Sequence, residues 1–219
     1  GLAVGDVMIA NIVQSDNDGN TLNDATLSGW TEVDGRDIGS SGSDHWRGTL
    51  LYKLAVASDV SATNFGFTLD SDAGEGSVGA IVAFRGVDIT GGFNEAGTAN
   101  SGPFDVDPGI INNSTSSTVT ANGITTNTAN AAVIMFGMVG DNNSWSTWQT
   151  ATGPLALTEL YDLPFDTGLD NGIGAAWATK STAGSTGNGT AILSASDPNG
   201  GILIALKRQG PTLNVSTAS

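Results

Sequence analysis

Short apolar segments recur along the chain, and Gly, Asn, Asp or Ser bounds each of them. The segments are rich in β-branched residues or alternate apolar with polar positions, which is typical of β-strands. VMIANIV and GAIVAFR are apolar almost throughout, so we expect both to be central in their sheets. In GWTEV and NFGFTL apolar and polar residues alternate, so we expect each strand to have one face in water. The pattern predicts an all-β protein.

The same order of segments occurs twice, at an offset of roughly 120 to 130 residues. The first half reads VMIANIV, GWTEV, GTLLYKLA, NFGFTLDSD and GAIVAFRG, and the second reads VIMFGMV, LTELYD, IGAAWATK, GTAILSASD and GILIALKR. Lys53 aligns with Lys180, and residues 83–85 align with residues 205–207. We predict one jelly-roll-like β-sandwich over residues 1–210, built from two sequence-related halves, 5–88 and 131–208, and a linking segment, 89–130. A barrel or two small domains are the alternatives.

Composition narrows the possible chemistry. An apolar content of 39% can supply a core, and 31 glycines favour turns over helices. Because the chain has no cysteine, it has no disulfides and no thiolate metal sites, and metals would have to be held by oxygen. The 22 acidic residues against 7 Lys and Arg disfavour nucleic acid and anionic membranes as partners and favour hard cations.

The limits of the chain suggest a larger context. No apolar run approaches the roughly 18 residues that a membrane span needs, so we expect no direct membrane insertion. The chain starts at Gly1 and not at Met. We therefore expect a segment of a longer protein with neighbouring domains on the same chain, and we interpret residues 211–219, PTLNVSTAS, as a linker or tail.

Several strand patterns carry a resemblance. G-D-V-x-I-A, G-W-T-E-V, L-Y-K-L-A, A-x-V-A-F-R-G-V-D and a final I-A-L-K occur in this order within residues 4–208. This order resembles a β-sandwich family of large secreted bacterial adhesins and some phage structural proteins, and within it the calcium-dependent peptide-binding domain of repeats-in-toxin adhesins. The resemblance implies an extracellular adhesion module at the cell surface. Such a module holds structural calcium and binds a peptide end or a glycan on a target cell.

The stretch SDNDGNTLND has oxygen-bearing side chains at alternate positions, as a calcium-binding loop does. The predicted ligands are Asp16, Asp18, Asn20, the carbonyl of Leu22, and Asp24. The glycine and the twelfth-position glutamate of a helical calcium loop are not at their usual places, so a further ligand would come from another loop. The alternative is a solvated turn, because Asp, Asn and Gly are common turn residues.

Two more acidic loops are candidates for calcium. If the strands alternate in direction, both loops lie at the end of the sandwich opposite SDNDGNTLND. Like carboxylates that gather in this way repel one another unless a cation lies between them. We predict one ion for each cluster, and the alternative is that the loops diverge into water. The predicted ligands are Asp34, Asp37 and Asp44 in one loop, with Asp70, Asp72 and Glu75 close by, and Asp162, Asp166 and Asp170 in the other, near Asp197 and Asn199.

The stretch DNNSWSTWQ is the candidate ligand-binding loop. Trp145 and Trp148 lie in a polar context beside Asn142 and Asn143, at the position that SDNDGNTLND occupies in the first half. An exposed ring pair beside amides suits recognition of a glycan or a peptide, because the rings supply apolar area and the amides supply direction. The alternative is that both rings fold back as a lid on the sandwich.

Catalysis is disfavoured. The chain has no cysteine nucleophile and no G-x-S-x-G elbow, and His45 is its single histidine. Glu32 and Glu159 are repeat-equivalent, so they are expected to share one role and not to divide into acid and base. We predict that the protein is not an enzyme. A structural spacer or phage virion domain is the alternative function, followed by a glycosidase or polysaccharide lyase.

Overall fold

Most of the apolar segments form β-strands in the structure, a computed structural model that describes residues 1–70 and 75–210. In these residues the only helix is α1 (Ala57–Val60), a single turn. The all-β prediction is confirmed. The strands are β1 (Val7–Asp16), β2 (Thr31–Ser41), β3 (Asp44–Leu54), β4 (Ser77–Phe84), β5 (Gly92–Phe93), β6 (Ala99–Gly102), β7 (Asn112–Ala121), β8 (Thr125–Thr126), β9 (Ala131–Val139), β10 (Trp145–Thr150), β11 (Thr158–Phe165), β12 (Asn171–Lys180), β13 (Gly184–Ser185) and β14 (Gly189–Leu206).

The two halves form two antiparallel sheets with the same strand order. The first sheet has the order β2-β3-β1-β4, and the second has the order β11-β12-β9-β14. In the second sheet β14 also pairs with β10 and with β7. The sheets pack face to face, with β1 over β9 and β12 and with β4 over β11 and β12. The chain is therefore a β-sandwich built from two sequence-related halves, as predicted.

Apolar layers on both sides of β1 and β9 explain why apolar and polar residues do not alternate along these two strands. Val7, Ile9 and Val13 point into the interior between the sheets, where they meet alternate residues of β9 such as Phe136. The other side of β1 packs under a second cluster that includes Trp30. The other side of β9 packs under a third cluster with the rings of β10. Both faces of the central strands are buried, so their sequences are apolar throughout.

The prediction that GAIVAFR is central is wrong. This segment forms β4, which lies at the edge of the first sheet and pairs only with β1 among the described strands. None of its eight residues is fully buried. The repeat-equivalent part of β14 is central and fully buried, because residues of the linking segment pair with its other side.

The strand directions also differ from the expectation. β1 and β2 are both antiparallel to β3, and β9 and β11 are both antiparallel to β12. Residues 17–30 and 140–157 must therefore cross back to the other end of the sheets before β2 and β11 begin. The loops that we expected at opposite ends consequently lie at the same end, which we call the acidic end.

Residues 1 and 210 lie at the other end of the sandwich, which we call the terminal end. The guanidinium of Arg85 donates a hydrogen bond from Nη2 to the carbonyl of Gly1 at 2.8 Å. The backbone N–H of Gln209 donates to the carbonyl of Gly86 at 2.8 Å. The predicted tail, residues 211–219, lies outside the described residues.

Candidate functional site at the acidic end

A cleft at the acidic end collects carboxylates from both halves of the chain. Its volume is about 410 Å³, and we call it the acidic cleft. No Lys or Arg is among its lining residues, so within residues 1–70 and 75–210 no positive side chain lines the cleft to balance the acids. The lining residues are Ser41, Asp44, Trp46, Gly140, Asp141, Gly168, Leu169, Asp170, Asp197 and Pro198.

Each of the four aspartates comes from a different strand connection or strand bend. Asp44 begins β3 after a tight turn in which Gly42 has a positive φ of 65°. Asp141 follows the last residue of β9, and Asp170 precedes β12. Asp197 lies at the register shift in the long strand β14. The parallel course of β1 and β2, and of β9 and β11, brings these positions to one end.

Trp46 fixes the floor of the acidic cleft. Its indole Nε1 donates to the carbonyl of Asp170 at 3.0 Å, and its side chain is only 4% exposed. A methyl group on Gly140 would lie 2.5 Å from the Trp46 ring, so glycine is required at that position. The ring thus ties β3 of the first sheet to the loop before β12 of the second.

The buried side chain of Asn143 links the loop after β9 to β14. Its Nδ2 donates to Asp197 Oδ2 at 2.7 Å, and its Oδ1 accepts from Ser194 Oγ at 2.7 Å. The side chain is 4% exposed, so both ends of the amide are used inside the protein. Asn142 is exposed, and its backbone N–H donates to Asp141 Oδ1 at 2.6 Å. Of the two predicted ligand-binding amides, only Asn142 faces solvent.

The loop after β1 closes on the Asp16 carboxylate. Asp16 Oδ1 accepts from the backbone N–H groups of Asp18 at 2.8 Å and of Asn20 at 3.1 Å. Burial of Asp16 raises its pKa, but these hydrogen bonds, with a further one from the Asn20 side chain, lower the pKa more, and the net result is below the usual value. Asp18 and Asn20 are exposed in the same loop.

Asp24 does not join this loop. Its carboxylate forms a two-pronged pair with Arg47, whose Nε and Nη2 lie 2.7 and 2.8 Å from its two oxygens. Nη1 of the same guanidinium is 3.1 Å from Asp37 Oδ1. These hydrogen bonds raise the pKa of Arg47, so it stays charged. The predicted five-ligand site is therefore not formed as expected, because the guanidinium of Arg47 already pairs with the Asp24 carboxylate.

The two predicted calcium clusters are not formed as expected. Asp34 and Asp37 belong to β2 itself, and Asp34 Oδ2 accepts from the backbone N–H of Ile111 at 2.7 Å. Asp162 belongs to β11, and its Oδ2 accepts from the backbone N–H of Trp145 at 3.0 Å. Asp166 is exposed in the loop before β12, whereas Asp44 and Asp170 of the predicted clusters line the acidic cleft together with the nearby Asp197. Asp72 lies outside the described residues. Across residues 1–70 and 75–210, no three His, Asp or Glu side chains lie close enough together to hold a metal ion.

The exposed ring pair that we expected is also wrong. Trp145 and Trp148 are only 5% and 6% exposed, and they stack on each other with ring centroids 5.1 Å apart. Trp148 Nε1 donates to Glu159 Oε2 at 3.0 Å. Both rings cover the outer face of the second sheet, above Gly137 and Gly174. They fold back as a lid on the sheet face and leave no aromatic surface for a ligand.

Asp141 is the residue of the acidic cleft that sequence reasoning missed. It directly follows the central strand VIMFGMVG of the second half, much as Asp16 follows VMIANIVQS in the first. An acid after the central strand of each half was the signal that could have identified it.

Comparison of the chain with protein-family models, with curated proteins and with solved structures gave no match. Within the part of the chain that the structure describes, no helix has the length and apolar character needed to cross a membrane.

Proposed function

We propose that this domain is a calcium-dependent, extracellular ligand-binding module of a large bacterial surface adhesin, and that it binds a peptide end or a glycan at the acidic cleft. The observation that carries the proposal is the gathering of Asp44, Asp141, Asp170 and Asp197 around one cleft without a basic lining residue. The strand patterns that resemble repeats-in-toxin adhesin domains support the same function.

Electrostatics favours a cation in this cleft. Carboxylates that share a small space repel one another, and a hard divalent cation relieves the repulsion. Calcium takes six to eight oxygen ligands, which include backbone carbonyls and water. Because no three acidic side chains of the described residues converge closely, an ion held here would have several positions left for other oxygens. Hydroxyls of a glycan or the terminal carboxylate of a peptide would fill them, which makes ligand binding depend on calcium.

The position of the cleft fits adhesion. Residues 1 and 210 lie at the terminal end, so neighbouring domains attached there would leave the acidic end free to meet a target surface. The net charge of −15 disfavours nucleic acid as the partner.

Thermal unfolding tests the calcium part of the proposal. Calcium that binds only the folded state at a hundredfold excess over its Kd adds about 2.7 kcal/mol of stability. For a chain of this size that corresponds to a rise in Tm of about 5 to 10 °C. We expect this rise in millimolar calcium relative to EGTA. The double variant Asp44→Asn, Asp141→Asn should lose most of the rise, whereas Asp107→Asn, at an exposed position away from the cleft, should keep it. Equal Tm values for the wild type in calcium and EGTA would refute the proposal.

Glycan and peptide arrays test the ligand part. We expect binding that disappears in EGTA and that the Asp44→Asn, Asp141→Asn variant lacks. Binding that persists in EGTA with the same specificity would contradict a site at the acidic cleft.

A further inference from the structure

Among the described residues, β4 is the edge of the first sheet and has no partner on its outer side. Its backbone pairs with β1 along Val7–Gln14, and no described strand or isolated bridge pairs with its other side between Ser77 and Phe84. The N–H and C=O groups on an open edge can form a ladder with another extended chain.

The equivalent edge in the second half is fully paired. The linking segment adds β7 beside Asp197–Gly201 of β14. Further along, the N–H of Asp105 donates to the carbonyl of Ala205 at 2.8 Å, and the N–H of Lys207 donates to the carbonyl of Pro103 at 2.9 Å. The chain thus supplies β14 with an extended neighbour that β4 does not have within the described residues.

The sequence of β4 lacks the features that normally protect an edge strand. SVGAIVAF contains no charge and no proline, and its pairing with β1 has no register shift. The edge strands β2 and β11 both carry charged residues and register shifts, and β11 also contains Pro164. An open, regular and apolar edge tends to associate with another strand.

Two grooves follow this edge from one end to the other. The first, which we call the apolar groove, has a volume of about 560 Å³ beside residues 77–81 and is lined by Phe65, Phe67 and Leu69. The second, which we call the basic groove, has a volume of about 700 Å³ beside residues 82–87. Three of the seven basic residues of the chain line the basic groove, namely Arg85, Lys207 and Arg208.

The repeat relates the basic groove, which lies beside β4 of the first half, to the position beside β14 of the second half that Phe104 fills. Phe104 is fully buried, forms a bridge with Leu206 and packs edge-on against Tyr52 at 5.0 Å. In the repeat alignment Phe84 is equivalent to Leu206, and Thr179 is equivalent to Tyr52. Phe84 and Thr179 both line the basic groove. The groove is therefore placed to receive a large apolar side chain from an added strand.

The charges of the basic groove favour an acidic neighbour to that side chain. Arg85 is 2.9 Å from Asp6, and Lys207 is 3.2 Å from Asp88. Arg208 is exposed, and no carboxylate among residues 1–70 and 75–210 pairs with it within 4.0 Å. A carboxylate on a bound chain can therefore pair with Arg208.

We propose that β4 binds an extended peptide by strand addition, with a large apolar side chain in the basic groove and an adjacent carboxylate at Arg208. The peptide takes the place beside β4 that residues 103–121 take beside β14. This site lies away from the acidic cleft and does not use calcium, so it is independent of the function proposed above.

The probe is a labelled synthetic peptide with the sequence of residues 102–109 of this chain, GPFDVDPG, which contains Phe104 and Asp105. Fluorescence anisotropy with the full chain should show saturable binding that is the same in calcium and EGTA. Replacing Phe by Ala in the peptide should weaken binding at least tenfold. Arg208→Gln should weaken it about three- to tenfold, whereas Arg36→Gln, with the same charge change on β2, should not.

Amide chemical shifts locate the bound peptide. We expect shifts along residues 77–85, and unchanged shifts along β2. Equal peptide affinity for Arg208→Gln and Arg36→Gln would overturn the proposal, and so would shifts confined to residues that belong neither to β4 nor to the lining of the two grooves. Hydrogen exchange of β4 amides as slow as that of β14 without peptide would mean that the chain itself covers the edge. If sedimentation shows a dimer that the peptide does not dissociate, a second copy of the chain covers the β4 edge. Either result refutes an external peptide.

Discussion

The contact between Trp145 and Gly137 gives the sharpest test of whether the paired rings are structural. A methyl group built on Gly137 would lie 2.3 Å from Trp145 Cζ3 and 2.4 Å from Cη2, well inside van der Waals contact. The ring cannot move away freely, because it stacks on Trp148 at 5.1 Å and is 5% exposed. Gly137→Ala therefore forces the ring pair to shift within a packed layer.

Double-mutant analysis isolates this contact. Overpacking of a well-filled layer costs about 1 to 3 kcal/mol, and removal of a buried indole by Trp145→Ala costs about 3 to 5 kcal/mol. In the Trp145→Ala background the three ring atoms nearest to the new methyl group are gone, so Gly137→Ala should cost much less than it does in the wild type. The expected coupling energy between the two positions is about 1 to 3 kcal/mol.

Urea unfolding followed by circular dichroism measures these changes, and thermal unfolding supports them at about 2 to 4 °C per kcal/mol for a domain of this size. Gly66→Ala is the control, because nothing lies within 4 Å of a methyl group at that position. An equal cost for Gly137→Ala with and without the Trp145 ring would refute the packing described here. It would also reopen the possibility that the ring is free for a ligand.

Two further predictions concern charged groups. The pKa of Asp16 is lower in the folded state than its unfolded-state value of about 3.9. The ionised carboxylate therefore stabilises the fold above about pH 3.9, and this stabilisation is lost as the pH falls through the folded-state pKa. Asp16→Asn should consequently make Tm less dependent on pH below about 5. Parallel Tm profiles for variant and wild type would contradict this. Arg47→Met should cost about 1.5 to 3 kcal/mol in urea unfolding, because Asp24 loses a two-pronged charged partner. Arg47→Lys should recover only part of the lost stability, because an ammonium group cannot form both guanidinium hydrogen bonds to Asp24. Full recovery of stability in Arg47→Lys would argue that the two-pronged geometry does not matter.

The repeat was the most informative feature of the sequence. Five ordered segments in each half predicted one sandwich of two related sheets, and the sheets do have the same strand order. Large rings also pack outside the layer between the sheets, because Trp30 is buried on the outer face of the first sheet. Apolar character alone did not distinguish a central strand from an open edge, so β4 was misplaced. The linking segment, which has no counterpart in the repeat, pairs with β14 and leaves β4 with β1 as its single partner among the described strands.

The Trp pair could not be interpreted correctly from spacing. In a regular strand, residues three apart point to opposite faces, so the spacing of Trp145 and Trp148 does not predict that their rings stack on one face of a strand. The structure has a register shift between Ser146 and Gln149, and Thr147 has a positive φ of 54°. This irregularity brings Trp145 and Trp148 to the same face. Similarly, the partner of Asp24 lies 23 residues away on another strand, and no local pattern identifies Arg47.

Duplication also separates the charges along the sandwich. Lys53 pairs in register with Met8 near the start of β1, and Lys180 pairs with Ala131 at the start of β9, so both lie at the terminal end. Their repeat relationship means that each half places a lysine at this end and the acidic connections that form the cleft at the other. With Arg85, Lys207 and Arg208, five of the seven basic residues lie there.

This separation has a consequence for binding. A cation is favoured at the acidic end and an acidic peptide at the terminal end, so a single ligand cannot satisfy both sites. Salt should weaken the two interactions independently, because about 0.15 M salt screens exposed charges beyond roughly 8 Å and the sites lie at opposite ends of the strands. Calcium and the GPFDVDPG peptide should therefore bind without affecting each other, and a calcium-dependent change in peptide affinity would show that the two ends are coupled through the shared core.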